Sequence, residues 1–207
     1  MKLNIYSDNI EEYLKCDSII DYDNTEVAEL AEKLYRDSDN ETDFIRKAYE
    51  YVRDYISHSA DIMADEVTCS ASEVLKAGHG ICFAKSHLLA ALLRCKGVPA
   101  GMCYQKLILD DVTAPVLIYH GLNGVYLKEY QKWIRLDARG NKPGVNAQFS
   151  VDKEQLAFDV RKDKGETDDH TIYPCTDKYI AARLKNSDSR EKLWDDLPDV
   201  LAYEADT

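Results

Sequence analysis

The chain has 207 residues and a formal net charge of −12 at pH 7. That length can bury one sizeable core without a second domain, and the apolar residues are spread along the chain, which excludes disorder over most of it. The acidic balance, with no cluster of Lys and Arg to displace counterions, argues against a nucleic-acid partner.

The opening Met1–Asp8 meets a carboxylate before an apolar signal segment can form, and no later run approaches the length of a membrane span. A cytoplasmic protein without a membrane partner is expected. The six cysteines (Cys16, Cys69, Cys82, Cys95, Cys103 and Cys175) form no CxxC pair. They read mostly as free thiols, and the ligand spacing of a zinc ribbon or finger is missing, so no metal or cofactor is expected.

In chain order, Val27, Leu30, Ala31 and Leu34 recur at helical spacing, as do Phe44, Ile45, Ala48, Tyr49, Val52, Tyr55 and Ile56. Thr42 is the expected N-cap of the second helix, with Asp43 in its first turn. A short helix from Ser72 to Ala77 is closed by Gly78, where helices often take a left-handed residue. The run from Cys82 to Lys96 is apolar nearly all round, which predicts a central helix ended by Gly97 and Pro99. The period then changes: Ala100–Leu109, Val116–Leu122, Val125–Leu127 and Trp133–Asp137 read as strands. Asn123-Gly124 suits a two-residue hairpin turn, while one strand running through Leu122–Leu127 and turning at 128–132 fits as well. Two short helices, Asp177–Lys185 and Arg190–Leu197, follow a loop-rich stretch.

Chemistry concentrates at Gly78-His79-Gly80-Ile81-Cys82. A glycine-rich turn there opens a helix on a cysteine, where unpaired N–H groups and the helix dipole favour a thiolate. One later strand ends in His120 and another in Asp137, a base and a residue to orient it. The bland alternatives are a buried thiol at Cys82, a core histidine at His120 and a turn residue at Asp137. Lys85, one turn beyond Cys82, either lowers the thiol pKa or is a solvated lysine. The Cys82 N–H is one oxyanion donor, and Gln105 is the candidate second; its bland alternative is an ordinary polar strand residue. His79 and His87 bracket Cys82 but lack a fourth metal ligand. Glu166, Asp168 and Asp169 read as a solvated acidic loop rather than an amine site.

The string Ala71–Cys82, the later Leu92-Leu93-Arg94-Cys95-Lys96-Gly97-Val98-Pro99-Ala100, His120 and Trp133-Ile134-Arg135-Leu136-Asp137 together resemble the core of the transglutaminase-like superfamily, over roughly residues 40 to 140. The wording Gly-Ile-Cys-Phe-Ala-Lys-Ser-His is similar to that of small microbial transglutaminase-like domain proteins. The resemblance implies an α+β, papain-like fold: N-terminal helices and a nucleophile helix packed on an antiparallel sheet. It makes residues 1–207 one domain, with a helical N-terminal extension (1–39) and a loop-rich C-terminal extension with short helices (141–207). By position, Cys82 is then the nucleophile, His120 the base and acid, and Asp137 the residue that fixes the imidazole. One departure is Gly121-Leu122 after the histidine, where many relatives have a small residue and then Trp.

The function expected is cysteine-dependent acyl transfer, hydrolysing an amide or peptide bond of a peptide or small amide substrate through a thioester on Cys82. Amine acyl transfer and a non-catalytic binding module on the same scaffold are the alternatives. A zinc-bearing amidase lacks its CxxC motifs, an arylamine acetyltransferase lacks its Arg-Gly-Gly pattern, and no calcium loop is present. The oligomeric state is not legible.

Overall fold

The computed structural model describes residues 2–205. After a two-residue strand β1 (Asn4–Ile5), Asn24 caps α1 (Thr25–Arg36), its side chain accepting from the N–H groups of Glu26 and Val27. Asn40, in extended backbone, caps α2 (Glu41–Tyr55) by accepting from the Asp43 N–H. Thr42 therefore lies inside the first turn of α2 rather than capping it, and its hydroxyl donates to Glu129 at 3.0 Å. The helix starts two residues earlier than expected because the Asn40 side-chain oxygen reaches the orphan N–H of Asp43 at 2.9 Å, which draws Glu41 and Thr42 into the first turn.

Past β2 (Ser57–His58), the chain forms α3 (Ala71–Ala77), which opens on a reciprocal capping box between Ser70 and Glu73 and closes at Gly78 with φ 70°. Gly78 leads directly into β3 (His79–Gly80), and β3 pairs in parallel with β2. Then comes α4 (Cys82–Cys95), buried at every residue from Cys82 to Arg94. A helix with no polar stripe has no solvent face to offer. Arg94 satisfies its charge on carbonyls, donating to Ala100, Lys15 and Pro174 and so tying the end of α4 to three other segments. Leu88, Leu89, Leu92 and Leu93 are fully buried, and each such leucine truncated to alanine costs about 2–5 kcal/mol in a packed core.

The sheet follows: β4 (Ala100–Asp110), β5 (Ala114–Leu127), β6 (Lys132–Leu136) and the short β7 (Thr167–Asp168), ordered β6-β5-β4-β7 and antiparallel throughout. Asn123-Gly124 is not a turn but the interior of β5, Asn123 lying opposite both Met102 and Leu136. The Asn123 side chain donates to the carbonyls of Ser86 and Gly101 at 3.0 and 3.2 Å, which ties the sheet to α4. The chain reverses at 128–131 instead, with Gln131 at φ 49°.

A strand β8 (Thr171–Ile172) pairs in parallel with β1, and Ile172 fills the space left by the missing side chain of Gly124. The chain ends in α5 (Lys178–Asn186), α6 (Arg190–Asp196) and α7 (Ala202–Ala205). Asp177, fully buried, caps α5 with one carboxylate oxygen and accepts from the Ala202 N–H with the other. One core cluster joins α1, α2 and α3 with α4 and the sheet. This is the expected α+β arrangement, with the helix that starts at Cys82 packed on an antiparallel sheet. Among the described residues, no helix is long and apolar enough to cross a membrane.

Candidate active site

The pairing of β2 with β3 fixes the chain just ahead of α4. Ile81, in extended backbone and with no side-chain cap, leaves the first N–H groups of the helix without an intrahelical partner. Cys82 is the first helical residue. Its sulfur accepts from the Gly121 N–H of β5 at 3.4 Å. Gly121 allows that approach, because a Cβ there would stand 2.5 Å from Cδ1 of Phe83. Phe83 thus covers the position beside the histidine, while Leu122 points to the opposite sheet face, into a cluster with Tyr13, Cys103 and Ile172.

His120 precedes Gly121 on β5, and Asp137 is the first residue past β6. His120 Nε2 lies 2.8 Å from Asp137 Oδ2. A carboxylate only accepts, so Nε2 carries the proton and Nδ1 is left for the sulfur of Cys82, with which the imidazole interacts electrostatically. The carboxylate is held from two further directions, Oδ1 by the Arg139 N–H at 3.1 Å and Oδ2 by the Ala157 N–H at 3.0 Å. Phe158 stands edge-on to the imidazole, ring centres 5.1 Å apart.

Burial sets the electrostatics, since Cys82, His120 and Asp137 are 7%, 5% and 1% exposed. For His120, burial alone pushes the pKa down, but the Asp137 carboxylate and the Cys82 sulfur outweigh it and raise it to about 10. Burial pushes the Asp137 pKa up, and the facing imidazole with its two backbone donors brings it below the usual carboxylate value. The Asp137 carboxylate thus favours the protonated imidazole of His120, and that cation faces the Cys82 sulfur.

Cys82, His120 and Asp137 therefore converge, and two other expected participants are committed to other partners. Gln105 lies directly opposite His120 in the β4–β5 register, on the same sheet face, but its amide nitrogen donates to Asp168 at 3.0 Å and is committed there rather than to an oxyanion. The physical reason is Asp168 itself, a buried carboxylate that takes donors from both Gln105 and Arg135. Lys85 is no solvated lysine: it is fully buried, with its ammonium on the carbonyls of Ile56 and Arg53 at the end of α2. Burial first, and then Arg139, lower its pKa to about 7 against the opposing pull of Asp137, Asp61 and Asp54.

Nor do His79 and His87 share a site, since His79 Nδ1 meets the Ser59 hydroxyl at 3.0 Å and His87 Nδ1 meets the Cys69 carbonyl at 2.7 Å. The acidic stretch is not a solvated loop. Glu166 binds Arg161 and the Ile108 N–H, Asp168 binds Arg135, and Asp169 takes the Tyr173 hydroxyl. Among the described residues, no three His, Cys, Asp or Glu side chains group as a metal site.

Residues 28–138, more than half of the chain, match the family model of the transglutaminase-like superfamily. The chain belongs to that superfamily. Among solved structures, a candidate cysteine protease from Cytophaga hutchinsonii superposes with a TM-score of 0.53 at 19% identity, covering 64% of this chain and 43% of that one. The periplasmic domain of TgpA from Pseudomonas aeruginosa gives a TM-score of 0.48 at 15% identity, over 62% of this chain and 46% of that one. At such identities the likeness concerns the fold, and the chain spans less than half the length of either neighbour. No curated protein sequence matches it.

This transglutaminase-like chain adds contacts that its sequence did not announce. The Ala157 N–H and the Phe158 ring come from the segment 141–160, far from the three motifs, and only the fold brings the first to Asp137 and the second to His120. Another is His58, whose imidazole interacts electrostatically with His120, Arg139, Asp61 and Lys85. Nothing in its local string, Tyr55-Ile56-Ser57-His58-Ser59, marks it as other than a strand residue.

Proposed function

We propose that this transglutaminase-like protein is a cysteine-dependent acyl-transfer enzyme that hydrolyses an amide or peptide bond, with Cys82 as nucleophile, His120 as acid and base, and Asp137 as the orienting carboxylate. The observation that carries this reading is the imidazole of His120, hydrogen-bonded to Asp137 at 2.8 Å and electrostatically coupled to the Cys82 sulfur, which the N–H of the next residue, Gly121, contacts at 3.4 Å. A binding module has no physical need for a buried imidazolium between a carboxylate and a thiol.

In the first half-reaction the Cys82 thiolate bonds to the carbonyl carbon and the C=O π pair moves onto oxygen. When the tetrahedral intermediate collapses, the C–N bond breaks and the leaving amine takes the His120 Nδ1 proton, leaving a thioester. Water then gives a proton to Nδ1 as its oxygen bonds to the thioester carbon, and the C–S bond breaks to release the acid and return the thiolate. Hydrolysis is preferred over amine capture because water is always available and its exclusion takes a dedicated acceptor channel. The substrate class is a peptide or a small amide.

The test is site-resolved alkylation by iodoacetamide followed by peptide mass spectrometry, in the wild type and in His120→Ala. Rapid reaction of Cys82 alone below neutral pH, lost without His120, is the expected result. Reaction no faster than that of the exposed Cys16 and Cys175 would sink the reading. With a peptide or amide substrate in hand, Cys82→Ala should abolish turnover and keep the fold.

A further inference from the structure

Attack by Cys82 places a negative charge on the carbonyl oxygen, and one backbone N–H at the start of α4 is half of what such an oxygen needs. Gln105, held by Asp168, leaves the second donor unassigned. Resting on the acyl-transfer reading of Cys82, we infer that His58 is that donor, its neutral imidazole hydrogen-bonding the oxyanion of the tetrahedral intermediate.

Position comes first. His58 lies opposite Gly80 in the β2–β3 register, two residues ahead of Cys82, and the adjoining Ser59 N–H donates to the Gly80 carbonyl at 3.1 Å. The strand that carries His58 is thus fixed to the strand that delivers the nucleophile.

Its hydrogen bonding is the second observation. His58 is 8% exposed, and its Nδ1 is sealed from solvent with no partner among the described residues. Three of the other histidines are hydrogen-bonded, His79 with Ser59, His87 with the Cys69 carbonyl and His120 with Asp137, while His170 Nδ1, which also makes no hydrogen bond, sits 3.1 Å from an Asp168 carboxylate oxygen that can neutralise it. With no acceptor near Nδ1, the ring proton belongs on Nε2, the nitrogen that is not sealed. A buried histidine that leaves its donor unused in the resting protein is suited to a partner that exists only during reaction.

Charge is the third. Burial, then Arg139, with Lys85 and His120 adding to them and Asp61 opposing, lower the His58 pKa to about 3. Asp61 itself is drawn off by ion pairs to Arg139 and Lys142. The ring is neutral at any working pH, and a neutral imidazole can serve as a hydrogen-bonding electrophile. The positive surroundings that refuse a second proton on His58 are the same surroundings that stabilise a negative oxygen beside it.

Two reactions of the same sulfur separate this role from others. Iodoacetamide alkylates Cys82 by displacing iodide at a CH2 group, so no oxyanion forms. With p-nitrophenyl acetate, the sulfur bonds to the ester carbonyl, an oxyanion forms, and collapse breaks the C–O bond to release p-nitrophenolate and leave acetyl-Cys82. Both rates are measured at Cys82 by peptide mass spectrometry in the wild type, His58→Ala and His58→Gln. In His58→Ala, acylation should fall about 100-fold while alkylation keeps its rate and pH profile, and His58→Gln, which returns an N–H near Nε2, should recover roughly tenfold of the loss. Acylation unchanged in His58→Ala overturns the inference. Equal loss in both reactions also overturns it, because it marks a residue that merely holds the site together. If wild-type Cys82 is not rapidly alkylated at all, the acyl-transfer reading itself has failed and the inference goes with it.

Discussion

Asp137 Oδ2 accepts two hydrogen bonds, from His120 Nε2 at 2.8 Å and from the Ala157 backbone N–H at 3.0 Å. The segment 141–160 is thereby built into the proposed catalytic couple instead of lying beside it. Arg53, at the end of α2, fixes the same segment by donating to the Ala147 carbonyl at 3.1 Å. Arg135, on β6, fixes it again through Glu154.

Asp137→Asn tests what the carboxylate does for the thiol. Asp137 and the Cys82 sulfur together hold the His120 pKa near 10 against the effect of burial. With a neutral amide in place of the carboxylate, the imidazolium loses the anion that holds its proton, and less positive charge faces the Cys82 sulfur. Alkylation of Cys82 at mildly acidic pH should slow by about tenfold or more, while the rates of the two proteins converge in alkali, where any thiol ionises. Coincident pH profiles would remove Asp137 from the site.

Arg135→Met addresses the anchor of the segment. The Arg135 side chain, 1% exposed, bridges Glu154 and the buried Asp168. Removing the cation strands the Asp168 carboxylate away from water, and breaking such a pair from one side costs about 3–5 kcal/mol. The midpoint of urea unfolding should drop accordingly, and limited proteolysis should cut first within 141–160. Replacing Asp168 by Asn in the same background should restore part of the loss, since the stranded charge is then gone.

How far these relationships were legible in the sequence depends on how local each is. Cys82 was legible because Gly78 and Gly80 mark a turn and the apolar run beginning at Phe83 marks a buried helix, all within a few residues. Asp137 was legible as a strand end, whereas His120, expected to end a strand, lies inside β5 because the strand runs on through Gly121 to Leu127 beside β4 and β6; the order of the two matched the superfamily. Asn123-Gly124 misled as a turn signal because tertiary demand decides: Asn123 satisfies the Ser86 and Gly101 carbonyls from inside a strand, and Gly124 makes room for Ile172. Gln105 was placed correctly on a strand, yet its partner Asp168 lies 63 residues on, in a two-residue strand with no pattern of its own. The β1–β8 and β2–β3 pairs are equally short, and strands of two residues carry no periodicity to read.

Gly121→Ala is a steric test of the close approach between β5 and α4. The new methyl would stand 2.5 Å from Phe83 Cδ1 and 3.2 Å from Phe83 Cα, so moving the ring does not clear the backbone contact. Overpacking of this kind costs about 1–3 kcal/mol. Because Phe83 adjoins Cys82, the start of α4 should shift away from His120, and Cys82 alkylation at neutral pH should slow along with the loss of stability. A variant as stable as wild type would show that the two elements separate more freely than their packing implies.

The acid limb of stability should be steep, and His87 allows one part of it to be isolated. Burial lowers the His87 pKa to about 4, against a hydrogen bond to the Cys69 carbonyl that pulls it back up. In the unfolded chain its ordinary value is about 6.5. Between those values the unfolded state binds a proton that the folded state refuses, so stability is full above about pH 6.5 and is lost as pH falls toward 4. At about pH 5 this one site accounts for about 2 kcal/mol of lost stability. His87→Asn keeps a side-chain N–H near Nδ1 and does not titrate. Urea unfolding at about pH 7 and about pH 5 should therefore show a difference between the two conditions smaller by about 2 kcal/mol in the variant, whatever its absolute stability. His58, whose pKa burial lowers to about 3, contributes a second loss of the same sign, so the variant should keep part of its acid sensitivity. A difference between the two conditions equal to that of wild type would mean that His87 is protonated inside the fold, with its proton shared by the Cys69 carbonyl.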